Sequence, residues 1–263
     1  EALTASDDCT AKLWNVASGD CERTLLGHDG PLTFAAFSPS GLEILTASED
    51  CTAKLWSVAS GQCQHTLRGH WDGICSFGFS PDGRRVLTAS GDGTAKLWSV
   101  ASGKCQHTFR RRGEPVTFAT FSPDGLEVLT ASGGDTARFW SVASGACERT
   151  LSCEDAGVGC AGPWKDTGAI ASAKFSPDGC EVVTASAAQD GVLKLWSVAS
   201  GECARLLEGH EGEVCCMAFS PEGGQVIDAD VTEPAAKRAR VASTPAEEGV
   251  AAPAHGGQGA PTL

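Results

Sequence analysis

The chain contains no apolar run of 18 residues, so it offers no membrane-spanning helix. No window of ten residues repeats apolar side chains at helical spacing, which leaves strands as the regular structure. There is no Gly-x-x-x-x-Gly-Lys-Ser/Thr loop to cradle a phosphate. Cys153 and Cys160 lie near Glu154 and Asp155, but without a His and too widely spaced for a four-ligand metal site. Cations are few: 20 Lys and Arg against 33 Asp and Glu give a net charge of −13. That balance argues against nucleic acid as the partner, because such binding is driven by neutralising phosphates. No secretory signal is visible, and the chain does not begin with Met.

What is present is a ladder of tryptophans at positions 14, 56, 98, 140 and 196. The first four are 42 residues apart and the last step is 56. A fixed period in this range means an array of like units. The neighbouring words repeat in phase: Thr-Ala-Lys-Leu-Trp ends at Trp14, Trp56 and Trp98, and weakens to Thr-Ala-Arg-Phe-Trp at Trp140.

Within the copy ending at Trp98, Asp72 to Phe79 alternates small and large apolar residues and predicts a strand. Ser80-Pro81-Asp82-Gly83 predicts a tight turn, since Pro presets φ and Gly accepts a positive φ. Strands follow over 85–90, 94–100 and 104–109, separated by Gly91-Asp92-Gly93 and Ala101-Ser102-Gly103. Both faces of these strands carry apolar bulk, so each four-stranded sheet must be covered on both sides. Radial stacking of such sheets, a β-propeller, achieves this.

At these residues the chain resembles the WD-repeat family. Gly27-His28, Ser38-Pro39-Ser40-Gly41, Ser48, Asp50, Thr52 and Trp56 follow the family order, as do Gly69-His70, Ser80-Pro81-Asp82-Gly83, Ser90, Asp92, Thr94 and Trp98. The closing Asp of the family word is Asn15 once and Ser at 57, 99, 141 and 197. The resemblance implies hydrogen-bonded sets within each blade, here His28/Ser48/Asp50/Trp56 and His70/Ser90/Asp92/Trp98. An unmet buried indole or imidazole nitrogen costs about 1–3 kcal/mol, which gives such sets a structural purpose. The next copy is broken by Arg112 at the His position and Gly134 at the Asp position, and the copy ending at Trp196 lacks the His.

The fold expected is all-β: a WD-repeat β-propeller over residues 1–230, with 21 strands in all. Four complete four-stranded blades are expected, plus one blade shared between N- and C-terminal strands. Glu1 to Ser6 aligns with the second half of a second strand, which reads as a fragment of a larger propeller of more than about five blades. In the shared blade, 213–219 joins the N-terminal strands and His210 completes a set with Ser6, Asp8 and Trp14. Leaving a face of roughly 500 Å² bare would forfeit on the order of 12 kcal/mol at ~25 cal/mol/Å², which favours closure or pairing with a further segment or partner.

Of the 13 cysteines, Cys21, Cys63, Cys105, Cys147 and Cys203 each lie seven residues after their Trp. Equivalent positions on neighbouring blades are too far apart for a disulfide, which needs Cα atoms within ~7 Å. They read as reduced thiols in a cytoplasmic protein. Residues 231–263 shift to Ala, Pro, Gly and Glu without periodicity and read as a disordered tail. Lys237, Arg238 and Arg240 form a candidate nuclear-import signal. Ser243 and Thr244 are candidate phosphosites whose charge would mask it.

The copies disagree most in the loops joining one blade's last strand to the next blade's first. Trp71 follows His70, Arg110-Arg111-Arg112 replaces the Gly-His word, and 152–170 inserts twelve residues including Trp164 and Lys165. Trp and Arg are enriched among interface hot spots. Trp71, Arg111, Arg112, Trp164 and Lys165 are therefore the candidate partner-binding residues, and the arginines suit an acidic or phosphorylated peptide. The function implied by the resemblance is a non-catalytic scaffold for protein–protein interactions, with no catalytic, cofactor-binding or metal residues. Two alternatives are the sensor region of a larger signalling NTPase and the substrate receptor of a ubiquitin ligase. The latter family members carry Arg two residues after the Trp, where this chain has Val16, Val58, Val100, Val142 and Val198.

Overall fold

The computed structural model describes residues 1–110, 114–132, 136–152, 170–186, 191–210, 212, 214–220 and 226–230. All of them fall in a unit spanning Glu1–Thr232. They form strands and turns, with no helix among them. The first sheet has three strands, β1 (Ala2–Ala5), β2 (Thr10–Trp14) and β3 (Cys21–Leu26). The second has four: β4 (Leu32–Phe37), β5 (Glu43–Ser48), β6 (Thr52–Ser57) and β7 (Cys63–Arg68). The third repeats it with β8 (Ile74–Phe79), β9 (Arg85–Ser90), β10 (Thr94–Ser99) and β11 (Cys105–Arg110). The fourth holds β12 (Val116–Phe121), β13 (Glu127–Ser132), β14 (Thr136–Ser141) and β15 (Cys147–Ser152). The fifth holds β16 (Ile170–Phe175), β17 (Glu181–Ser186), β18 (Leu193–Ser197) and β19 (Cys203–Leu207). The sixth pairs β20 (Val214–Phe219) with β21 (Val226–Asp230). Neighbouring strands are antiparallel throughout.

The turns explain why the chain doubles back where it does. In 80–83 the Ser80 hydroxyl donates to Asp82 Oδ1 at 2.6 Å and accepts from the Arg85 amide at 2.9 Å, closing the turn with its own side chain. Gly83 takes φ +70°, a conformation that a Cβ would strain. The same Ser-led closure recurs at Ser122 and Ser176.

The core lies between sheets. The second to fifth sheets turn their Leu–Ala face to the sheet that follows and their Trp face to the sheet that precedes. Leu45, Ala47, Ala53, Leu55 and Leu67 of the second sheet pack on Ile74, Val86 and Trp98 of the third. Leu87, Leu97 and Phe109 of the third meet Val116, Val128 and Trp140 of the fourth. This is the two-sided burial that the sequence predicts. Arginines tie neighbouring sheets at their outer strands: Arg23 donates to Ala59 O at 2.6 Å and Arg149 to Val198 O at 2.8 Å.

The expected shared blade is not formed. β20 pairs with β21, from Val214↔Asp230 to Phe219↔Val226, and the first sheet keeps its three strands. β21 takes the edge that β1 was expected to occupy. Pairing across a short hairpin costs far less loop-closure entropy than pairing across some 200 residues. The expected Ser6/Asp8/Trp14 set with His210 changes accordingly: Asp8 Oδ1 accepts from the Thr10 amide and hydroxyl, and Trp14 donates to Thr4. Among the described residues no sheet covers Val16 of the first sheet, and Val16 is 70% exposed where the equivalent Val142 is 6% exposed.

Candidate functional site

Two relays of buried polar groups stand out. In the third sheet, His70 is carried by the segment entering β8, Thr88 by β9, Asp92 by the β9–β10 turn and Trp98 by β10. The Asp92 carboxylate accepts from His70 Nδ1 at 2.9 Å, and His70 Nε2 meets the Thr88 hydroxyl at 2.8 Å. Trp98 Nε1 donates to the same hydroxyl at 2.9 Å. The second sheet repeats this as Asp50–His28–Thr46–Trp56, at 2.7, 2.8 and 2.9 Å.

The electrostatics fix the proton positions. Burial pushes the His28 and His70 imidazoles below the usual histidine range, outweighing their bonds to Asp50 and Asp92. Burial alone would raise the Asp50 carboxyl, but donors from Thr52, His28 and the Asp29 backbone outweigh it and hold the group at about 2. Asp92 is lowered by the same balance, with Thr94 and His70 as its side-chain donors. A neutral imidazole beside an ionised carboxylate must donate its Nδ1–H to Asp. Its Nε2 lone pair then accepts from the Thr hydroxyl, whose oxygen accepts from the indole. Both imidazole nitrogens and the indole N–H in each relay are thus satisfied. Such a relay has no unmatched base to offer a substrate, and the third sheet's copy is sealed: the His70 and Asp92 side chains are 0% and 1% exposed.

Ser48 and Ser90, expected within these sets, lie outside the His–Thr–Trp relay. Ser48 Oγ donates to Gly30 O and Ser90 Oγ to Asp72 O, and each accepts the amide of the following Asp, so they brace the turn outside the relay. The threonine two residues earlier holds the central position because it shares the Trp face and lies one diagonal step from the Trp, with Ile44 opposite Trp56 and Thr46 opposite Lys54, and Val86 opposite Trp98 and Thr88 opposite Lys96. The available signal was Thr-Ala-Ser, repeated as 46–48, 88–90, 130–132 and 184–186. The Trp–Thr bond outlasts the loss of His: Trp140 donates to Thr130 at 2.8 Å and Trp196 to Thr184 at 2.9 Å.

Of the candidate partner-binding residues, Trp71 is described and is 75% exposed. Its backbone amide donates to Asp92 Oδ2 at 3.2 Å, so the relay anchors the segment that presents it. Exposed Arg110 ends β11 on the strand that leads to the next such loop. Arg111, Arg112, Trp164 and Lys165 lie outside the described residues, as do Gly134, Cys153, Cys160, Lys237, Arg238, Arg240, Ser243 and Thr244. Among the described residues no group of three or more His, Cys, Asp or Glu is placed to hold a metal ion, and no helix is long and apolar enough to cross a membrane. Of the ladder cysteines, Cys21, Cys63, Cys105 and Cys147 are free thiols.

The comparisons with known proteins agree with this geometry. The family model described as WD40 (WD domain, G-beta repeat) matches residues 19–57, 61–99, 103–141, 145–197 and 201–229. The chain belongs to the WD40-repeat family. WD40 repeats mediate protein–protein interactions, which places the chain among interaction scaffolds. It is also similar to Proteasomal ATPase-associated factor 1 of Gallus gallus, at 50% identity over 38 residues. That match covers 14% of this chain and 10% of that protein, less than one 42-residue repeat. The likeness is therefore to a WD40 unit.

Proposed function

We propose that the chain is a non-catalytic scaffold that holds other proteins through the loops joining each sheet to the next. The observation that carries this is Trp71: a large apolar side chain, 75% exposed, on a segment whose backbone is fixed by Asp92. A rigidly presented tryptophan binds with little ordering cost, which is why such residues become hot spots. The binding region takes in Trp71, Arg111, Arg112, Trp164 and Lys165, and its partner is an acidic or phosphorylated segment that pairs with the arginines. Cytoplasmic placement, with nuclear entry through Lys237, Arg238 and Arg240, belongs to the same reading. So does the division into repeats over 1–230 and a tail over 231–263.

The test is quantitative affinity capture with the full chain, comparing Trp71→Ala, Arg111→Glu/Arg112→Glu and Trp164→Ala with the unaltered protein. Loss of the same partners in all three variants supports the region. An unchanged set of partners in all three overturns it.

A further inference from the structure

The first strands β4, β8, β12 and β16 run side by side at the inner edge of their sheets. Between β8, β12 and β16 they leave a cavity of about 340 Å³. Its wall is largely aromatic, with Phe77, Phe118, Phe121 and Phe175 among its residues, and Pro39, Pro81 and Pro123 of successive Ser-Pro turns border it. These turns stack rigidly. A Cβ on Gly83 would lie 3.6 Å from Pro39 and one on Gly125 3.3 Å from Pro81.

Two residues turn this space into a candidate site. Strand registers place Ala36, Gly78, Thr120 and Lys174 at one equivalent position, opposite Leu45, Leu87, Leu129 and Val183. Gly78 leaves the position empty in its strand: a Cβ there meets nothing within 4 Å, and its φ is not in the left-handed region. Packing and backbone conformation therefore do not require glycine, and its missing side chain keeps the chamber open. Lys174 is the one charged residue among the described residues of the wall. It is exposed and makes no hydrogen bond or ion pair with the described residues. Among the described residues no carboxylate lines the cavity to balance it.

A chamber at the lower end of the small-ligand range, lined mainly by apolar residues with a few polar groups, here Ser80, Thr120, Ser122 and the charged Lys174, is the usual design of a small-molecule site. We infer that this cavity binds a small aromatic carboxylate. The ring packs among Phe77, Phe118 and the prolines in offset or edge-on contact. The carboxylate pairs with the Lys174 ammonium through a charge-assisted hydrogen bond. The site is separate from the loops carrying Trp71, and this inference stands or falls without the scaffold reading.

The test uses the full chain with 2-naphthoate and its neutral isostere 2-naphthamide, followed by saturation-transfer NMR and calorimetry. Saturable binding of one naphthoate per chain is expected. Lys174→Met should weaken naphthoate about tenfold, the scale of a hydrogen bond to a charged group, while leaving naphthamide unchanged. Gly78→Leu, which fills the chamber, should abolish binding of both; its near-ultraviolet circular dichroism checks folding, and Lys174→Met decides the matter if Gly78→Leu does not fold. Equal affinity for acid and amide, unchanged naphthoate binding in Lys174→Met, or no saturable binding at about millimolar concentration would each overturn the inference.

Discussion

Thr88→Val removes one hydroxyl from the centre of a relay and changes little else. Valine keeps the β-branched shape and suits the strand. The hydroxyl it removes accepts from Trp98 Nε1 at 2.9 Å and donates to His70 Nε2 at 2.8 Å. Thr88 is 0% exposed and Trp98 2%, so water cannot replace it. Two buried groups are stranded at about 1–3 kcal/mol each, a loss of about 2–6 kcal/mol. The fourth sheet supplies an internal control. Thr130→Val strands the Trp140 indole, bonded at 2.8 Å, but no imidazole, and should cost about 1–3 kcal/mol. Tandem arrays can open sheet by sheet, so the assay is hydrogen exchange by mass spectrometry across a urea series, read separately at β9–β10 and β13–β14. Thr88→Val should lose about twice the free energy of Thr130→Val, each within its own sheet. If Thr130→Val costs as much as Thr88→Val, the imidazole arm carries no stabilisation and the reasoning fails.

Cys51 holds φ +66° where the next sheet uses Gly93 at +77°, so Cys51→Gly should stabilise by about 0.5–1 kcal/mol, read as a rise in the urea midpoint. The His28 and His70 imidazoles are depressed in the folded state. Their contribution is complete above the unfolded value of 6.5 and is lost as pH falls below it, because the unfolded chain takes up those protons first. Melting temperature should therefore drop between about pH 7 and pH 5, and the drop should shrink in His28→Gln/His70→Gln. Asp50, held at about 2 against 3.8 unfolded, adds stability present above pH 3.8 and lost as pH falls toward 2. Cys75 and Cys105 are both exposed, but the Cys75 sulfur donates to Val116 O at 2.9 Å and desolvation pushes its thiol up to about 11, so it should alkylate more slowly than Cys105. Resistance of Cys105 to labelling without reductant would contradict the free-thiol state.

The periodic words in the sequence carry most of the fold. The Trp ladder, the Ser-Pro turns and the two-sided apolar strands each predict what the structure contains, because each is a local pattern answered within one repeat. The ends were not legible in the same way. Whether β20 pairs with β1 or β21 depends on competition between a distant edge and a near one; the word Ser220-Pro221-Glu222-Gly223 announces the near hairpin but does not decide that competition. The relay was half legible. His28, Asp50 and Trp56 lie at family positions, but Thr46 and Ser48, two residues apart, share one face of β5, and only the pairing of Ile44 with Trp56 and Thr46 with Lys54 brings Thr46 rather than Ser48 beside the indole. Lys174 and Gly78 were invisible in sequence, since a small residue or a lone Lys on a strand gains meaning only from the cavity they share.

On the proposed function, the His, Asp, Thr and Trp residues stabilise the sheets while exposed residues of the joining loops do the binding. Partner capture by Trp71→Ala and Thr88→Val, each normalised to the folded fraction, separates the two roles in one measurement. Trp71→Ala should lose partners with its urea midpoint unchanged, and Thr88→Val should lose stability while its folded molecules keep those partners. Folded Thr88→Val without partners, beside Trp71→Ala with all of them, would contradict the account.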